Sequence, residues 1–171
     1  MRLPISLITL AVATSAGAAT VATASTNASS RAERFVLSGA TIRGVDKPLR
    51  MTAVGPIAGS GTVQDKDGAS RHDSLTFHLA KGTVFVTTDE KSIVARPDFN
   101  TCTARIVAQG TFTITGGTRA FHAATGNGAF TRHSRIIGGR NSSGACLPKN
   151  APPKAIYNTV TMIGNAALTS A

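Results

Sequence analysis

The stretch GTFTITGGTRAFHAATGNGAF, residues 110–130, decides the fold. It begins with alternating residue types, breaks at Gly116 and Gly117, and resumes at a Gly-x-Gly pair formed by Gly126 and Gly128. A phosphate-binding loop would need a terminal Gly-Lys-Ser/Thr, or a complete G-x-G-x-x-G between a strand and a helix, and neither pattern occurs. We interpret the four glycines as a structural corner, where they supply positive φ or a close approach of two backbones.

Alternation with a period of two continues on both sides of this corner. In residues 74–80, for example, Leu75, Phe77 and Leu79 fall on one face of an extended chain. No stretch of ten residues has convincing helical spacing. The sequence predicts eight strands, at about 34–42, 49–55, 58–64, 74–80, 83–88, 103–115, 127–137 and 156–168, with loops at 95–100 and 138–155. Many short strands at even spacing indicate an all-β barrel or sandwich.

The N-terminal residues have the pattern of an export signal. Arg2 precedes an uncharged run of apolar and small residues, and A-x-A patterns occur at 16–18 and 22–24. We predict a secretory signal peptide over residues 1–24, a flexible leader over 25–32 and a single domain over 33–171, in a secreted, extracellular protein. The alternative is a transmembrane anchor, but no basic stop-transfer cluster closes the run.

The chain has two cysteines, Cys102 and Cys146. In an exported protein they predict one disulfide, which would tie the loop at 138–155 to the start of the sixth strand. The alternatives are two free thiols or a partial metal site. The four histidines make no metal-binding spacing, so the sequence predicts no metal.

The net charge is +10, and no acidic residue follows Asp98. Such a balance favours an anionic partner, which could be a surface polymer, a nucleic acid, a lipid head group or an acidic small molecule. The alternative is a soluble basic protein with no special partner. Nucleic acid is the less favoured partner, because the chain lacks aromatic residues interleaved with basic ones.

The opening stretch resembles the signature of the allene oxide cyclase barrel-like family, which is related to the dirigent proteins. The matching pattern is G-T-F-T-I-T-G-G-T-x-x-F-x-x-A-T-G-x-G from Gly110 to Gly128, and L-x-F-x-L-x-x-G-x-V-x-V at 75–86 is similar to that family's central hairpin. Arg119 departs from the pattern, since the family often has glycine there. The resemblance implies a calycin-type, eight-stranded antiparallel β-barrel. It also implies no metal or organic cofactor, catalysis by orienting a flexible apolar substrate, and assembly as dimers or trimers.

The strand at 127–137 carries the most informative side chains. Phe130 and Arg132 share one face, so if Phe130 points into the barrel, Arg132 does too. A buried arginine would need an acidic partner from the first half of the chain or a bound anion. Alternatively, a bulge or the barrel rim would place Arg132 in water. The predicted ligand-binding residues are Phe77, Phe112, Phe130, Arg132 and Tyr157.

Three functions remain open from the sequence. The first is binding of a small amphipathic or acidic ligand inside the barrel. The second is a cofactor-free cyclase or isomerase, for which the weak catalytic candidates are Glu33, Arg132 and Tyr157. The third is a non-enzymatic exoprotein that contacts an anionic surface polymer through a basic face including Arg132, Arg135 and Arg140.

Overall fold

The alternating segments fold as β-strands. The computed structural model describes residues 29–66, 71–148 and 150–168, so the predicted signal peptide lies outside the described residues. The first strand begins at Arg31, inside the predicted leader. The strands are β1 (Arg31–Ile42), β2 (Val45–Asp46), β3 (Leu49–Val54), β4 (Gly59–Asp65), β5 (His72–Leu79), β6 (Gly82–Asp98), β7 (Thr103–Gly117), β8 (Ala124–Ile137) and β9 (Ala155–Leu168).

Eight of these strands form a closed antiparallel barrel. Each strand from β4 to β9 pairs with the strand before it, β3 pairs with β1, and a β1–β9 ladder from Arg31↔Ala166 to Ile42↔Ala155 closes the ring. The short strand β2 is an additional strand paired with the end of β1. The expected all-β, eight-stranded antiparallel barrel is confirmed. Its closure removes the free strand edges that an open sheet would expose.

The interior of the barrel is filled by side chains. Phe35 meets Phe77 and Phe112 edge-to-face, with ring centroids 5.3 and 6.1 Å apart, and Met162 packs in the same cluster. All four side chains are at most 1 % exposed. The period-two alternation of the sequence is therefore the division between a packed core and an outer surface.

The corner that opened the sequence analysis joins β7 to β8. Gly116 has φ +142°, and a short 3-10 turn, Arg119–Phe121, inserts the buried Phe121 side chain under it. Gly126 and Gly128 lie in β8, where an added Cβ would overlap carbonyl oxygens of β9. Arg119 is accommodated at φ 53°, in the left-handed region.

Strand β6 is longer than the sequence predicted. The predicted strand ended at 88 and a loop was expected at 95–100, whereas β6 continues to Asp98 and forms a tight hairpin with β7. A bulge between Glu90 and Ser92 shifts the register by one residue and so breaks the alternation. Residues 91–98 are also exposed on both faces, so no apolar pattern marks them as a strand.

The predicted disulfide is present. Cys102 in the β6–β7 turn is bonded to Cys146, with the two Cα atoms 5.4 Å apart. Arg140 reinforces this link, because its guanidinium donates to the carbonyl oxygens of Gly144 and Asn100 at 2.6 and 2.5 Å. The loop after β8 is therefore fastened to the tip of the β6–β7 hairpin.

Candidate functional site

The three candidate catalytic residues lie in three different places. Glu33 lies on β1 inside the barrel, opposite Gly164 of β9, whereas Arg132 faces inward opposite Val160 of β9. Four residues of β9 separate these two levels, which corresponds to about 13 Å along the strand. Tyr157 lies on the outer face and is 45 % exposed. The fold does not bring the three side chains into one site.

Glu33 is an isolated buried carboxyl. It is 1 % exposed, its Oε2 accepts a hydrogen bond from the backbone N–H of Ile57 at 2.7 Å, and its Oε1 has no partner among the described residues. Burial raises the pKa of Glu33 to about 7, although backbone hydrogen bonds from Ile57 and Arg34 act in the opposite direction. No ion pair to a described basic residue offsets this burial.

Arg132 faces the mouth of the barrel and is paired with a carboxylate. Its Nη2 donates to Oε2 of Glu90 at 2.6 Å, and the Glu90 side chain is only 7 % exposed. Of the alternatives that the sequence left open, the structure shows an acidic partner from the first half of the chain. The Nε of Arg132 is buried and has no partner among the described residues.

A small cavity of about 120 Å³ adjoins this pair. Its apolar wall includes Phe130, Val160 and Met162, and polar side chains also border it, namely Asp65, Asp73, Thr88 and Asn158. Phe77 and Phe112, the other predicted ligand-binding residues, belong to the packed core. The volume is below the range of about 300–1,000 Å³ that is typical of small-molecule sites.

Three arginines form a row on the outer face of the barrel. Arg96 of β6 is directly opposite Arg105 of β7, and Arg105 is directly opposite Arg135 of β8. Tyr157 of β9 is the next residue in the same row, opposite Arg135. Neighbouring strands lie about 4.8 Å apart, so the backbones of Arg96 and Arg135 are separated by about 10 Å. We call Arg96, Arg105 and Arg135 the arginine row.

No described carboxylate forms an ion pair with the arginine row. All three side chains are exposed, and none makes a hydrogen bond or ion pair with another described residue. Asp98 is the nearest acidic residue along β6, but its oxygens accept hydrogen bonds from the turn residues Asn100 and Thr101. Like charges that face each other across strands repel, so this row is an unneutralised cationic line.

The arginine row lies in an open groove of about 660 Å³. Besides the row, the groove is lined by hydroxyl and amide side chains, by one histidine and by aliphatic side chains. These residues are Ser92, Val94, Val107, Gln109, His133, Tyr157 and Thr159, with Ile106 and Ser134 also contributing. No acidic residue lines the groove, so it presents hydrogen-bond donors and positive charge together.

No family model, no curated protein and no solved structure matches this chain. The resemblance to the allene oxide cyclase barrel-like family therefore remains a prediction. Among the described residues no three or more His, Cys, Asp or Glu side chains group as a metal site. The same part of the chain contains no helix with the length and apolar character needed to cross a bilayer.

The three arginines of the predicted basic face do not lie together on one surface. Of the arginines named from the sequence, Arg132 is paired inside the mouth and Arg140 is bonded to backbone carbonyls, so only Arg135 belongs to the groove. Sequence reasoning missed Arg96 and Arg105. The Asp98↔Thr103 pairing places Arg96 opposite Arg105, but this register follows only from a turn at 99–102, and a loop was expected at 95–100.

Proposed function

We propose that this protein is a secreted, non-enzymatic binding protein that holds an anionic ligand on the arginine row. The single observation that carries the proposal is the alignment of Arg96, Arg105 and Arg135 in one groove with no acidic partner. The guanidinium group has a planar fork of donors that matches carboxylate, sulfate and phosphate groups. An anion in the groove would relieve the repulsion between the three charges.

Net charge supports the same function. The chain carries +10, and its acidic residues end at Asp98, so the whole protein attracts polyanions over a distance set by salt. The groove volume of about 660 Å³ falls within the usual range for ligand sites, whereas the mouth cavity of about 120 Å³ does not. These two volumes favour the outer groove over the barrel interior.

The barrel mouth is the second candidate, for a small amphipathic ligand. The observation in its favour is the buried Nε of Arg132, which has no partner among the described residues and could donate to a ligand carbonyl or carboxylate. A cyclase or isomerase activity in the same mouth is less supported. Glu33, the candidate acid, lies at a different level of the barrel, about 13 Å away along β9.

The test is retention of the oxidised mature protein on an immobilised sulfated polymer as salt is raised. We expect retention to weaken with salt, and the triple variant Arg96→Ala, Arg105→Ala, Arg135→Ala to elute well before the wild type. A matched triple variant, Arg31→Ala, Arg34→Ala, Arg50→Ala, removes the same charge from exposed positions on β1 and β3. Equal loss in the two variants would mean that only net charge matters, and the proposed function would be wrong.

A further inference from the structure

We infer that the anionic ligand is an acidic polysaccharide, which lies across the strands along the arginine row. This inference rests on the proposed function and adds the chemical class and the direction of the ligand. It follows from three features of the groove: the line of charges, the hydroxyl and amide side chains on one side of that line, and the Tyr157 ring at its end.

The charges form a line perpendicular to the strands. Arg96, Arg105 and Arg135 occupy successive strands at one level, so cationic groups recur at intervals of about 5 Å over about 10 Å. A single small anion could engage one or two of these groups. A polymer that carries acidic groups at regular intervals can engage all three when it runs along the row.

Apolar and polar side chains follow the charges on one side. The next level of the outer face holds Val94, Val107, His133 and Thr159, and the level beyond it includes Ser92 and Gln109. Hydroxyl and amide groups both donate and accept hydrogen bonds, so they fit a ligand rich in hydroxyl groups. A polyphosphate offers only acceptors and would leave the acceptor oxygens of these side chains unused.

Tyr157 stands at the β9 end of the row, opposite Arg135. It is 45 % exposed and presents both a ring face and a hydroxyl group beside the groove. The groove lining has no second Tyr, Phe or Trp, and His133 is its only other ring. Single-stranded nucleic acids bind proteins through several aromatic platforms, each of which stacks on a base. One platform next to several polar donors fits a sugar ring better than a series of bases.

The experiment compares polygalacturonate, polyphosphate, oligothymidylate and neutral dextran as ligands of the mature protein, by titration calorimetry at matched concentrations of anionic groups. We expect the tightest binding for polygalacturonate and none for dextran. Tyr157→Ala and Gln109→Ala should each weaken polygalacturonate binding about three- to tenfold, as expected for the loss of a hydrogen bond or sugar contact. Polyphosphate binding should not change in these two variants. Thr111→Ala, on the outer face of β7 but outside the groove lining, is the matched control.

The outcomes separate the two proposals. If polyphosphate or oligothymidylate binds at least as tightly as polygalacturonate, and the arginine-row triple variant abolishes that binding, the inference is wrong and the proposed function stands. If Tyr157→Ala and Gln109→Ala change polygalacturonate binding no more than Thr111→Ala does, the inference is also overturned. If no polyanion binds in a way that depends on the arginine row, both proposals fail.

Discussion

The buried carboxyl of Glu33 predicts that the protein loses stability as the pH rises. The pKa of this group is raised from 4.5 to about 7 in the folded barrel, because burial disfavours the charged form. Between about pH 4.5 and about pH 7 the folded state therefore holds a proton that the unfolded chain has released. Stability from this group is greatest below that window and falls across it.

The magnitude follows from the size of the shift. At about 1.4 kcal/mol per pKa unit, the folded protein should lose about 3 kcal/mol between the two ends of the window. This is a large share of the 5–15 kcal/mol that is typical for a whole domain, about a fifth to three fifths of it. The loss is expected because the backbone hydrogen bonds from Ile57 and Arg34 offset only part of the cost of burying the ionised carboxylate, which gains no counter-charge among the described residues.

The assay is denaturant unfolding of the wild type and of Glu33→Gln, at pH values below, within and above the window. Glutamine keeps the size of the side chain and can still accept the hydrogen bond of Ile57, but it does not ionise over this range. The free energy of unfolding of the wild type minus that of the variant should fall by about 3 kcal/mol across the window. Taking the difference removes the contributions of other titrating groups that the substitution does not affect.

A second variant separates the effect of the charge from that of a local packing defect. Glu33→Leu removes both the charge and the hydrogen bond, so its stability should be lower than that of Glu33→Gln at low pH, but the pH dependence due to Glu33 should again be absent. If the difference between wild type and Glu33→Gln stays constant across the window, the carboxyl is not buried in the way that the barrel requires, and the reasoning fails.

Three further perturbations test the packing. Replacing Cys102 and Cys146 by serine should lower the free energy of unfolding in denaturant by about 3–4 kcal/mol; an unchanged midpoint would mean that the disulfide does not stabilise the fold. Glu90→Ala should lower the free energy of unfolding by about 2 kcal/mol, because Arg132 is left without its partner, and adding Arg132→Met should restore most of this loss. No loss in Glu90→Ala would mean that the pair does not stabilise the fold. Gly128→Ala should lower the free energy of unfolding by more than about 2 kcal/mol, because its Cβ would overlap the carbonyl of Ile163. Gly44→Ala, at φ +76° in open space, should cost only about 1 kcal/mol; equal losses in thermal unfolding would refute the overlap.

The sequence was informative where one face of a strand is buried. Phe77 and Phe112 are core residues because the strands alternate strictly between the interior and the surface, and this alternation can be read without a structure. The disulfide between Cys102 and Cys146 was predictable because the chain offers only one pairing.

The candidate site was less predictable. The second half of β6 is exposed on both faces, so no apolar alternation marked it as a strand, and the loop expected at 95–100 was placed too early because the turn is at 99–102. The position of Arg96 next to Arg105, and of Arg105 next to Arg135, depends on the register between strands, which the composition of each strand does not determine. The Glu90–Arg132 pair joins β6 to β8 across β7, so it depends on the register of both ladders as well as on which face each strand buries.

The bulge between Glu90 and Ser92 changes which residues of the rest of β6 face inward and which face outward. Before it, even-numbered residues such as Val86 and Glu90 point inward; after it, Ser92 and Arg96 point outward, in line with Gln109 and Arg105. One extra residue thus decides on which side of the wall a positive charge appears. If the strand paired regularly through this point, Lys91 would lie opposite Gln109 and Arg96 opposite Ala104, so Arg96 would turn towards the inner side and leave a gap in the cationic line at unchanged net charge. Deleting the extra residue Lys91 would instead keep Arg96 opposite Arg105 on the outer face.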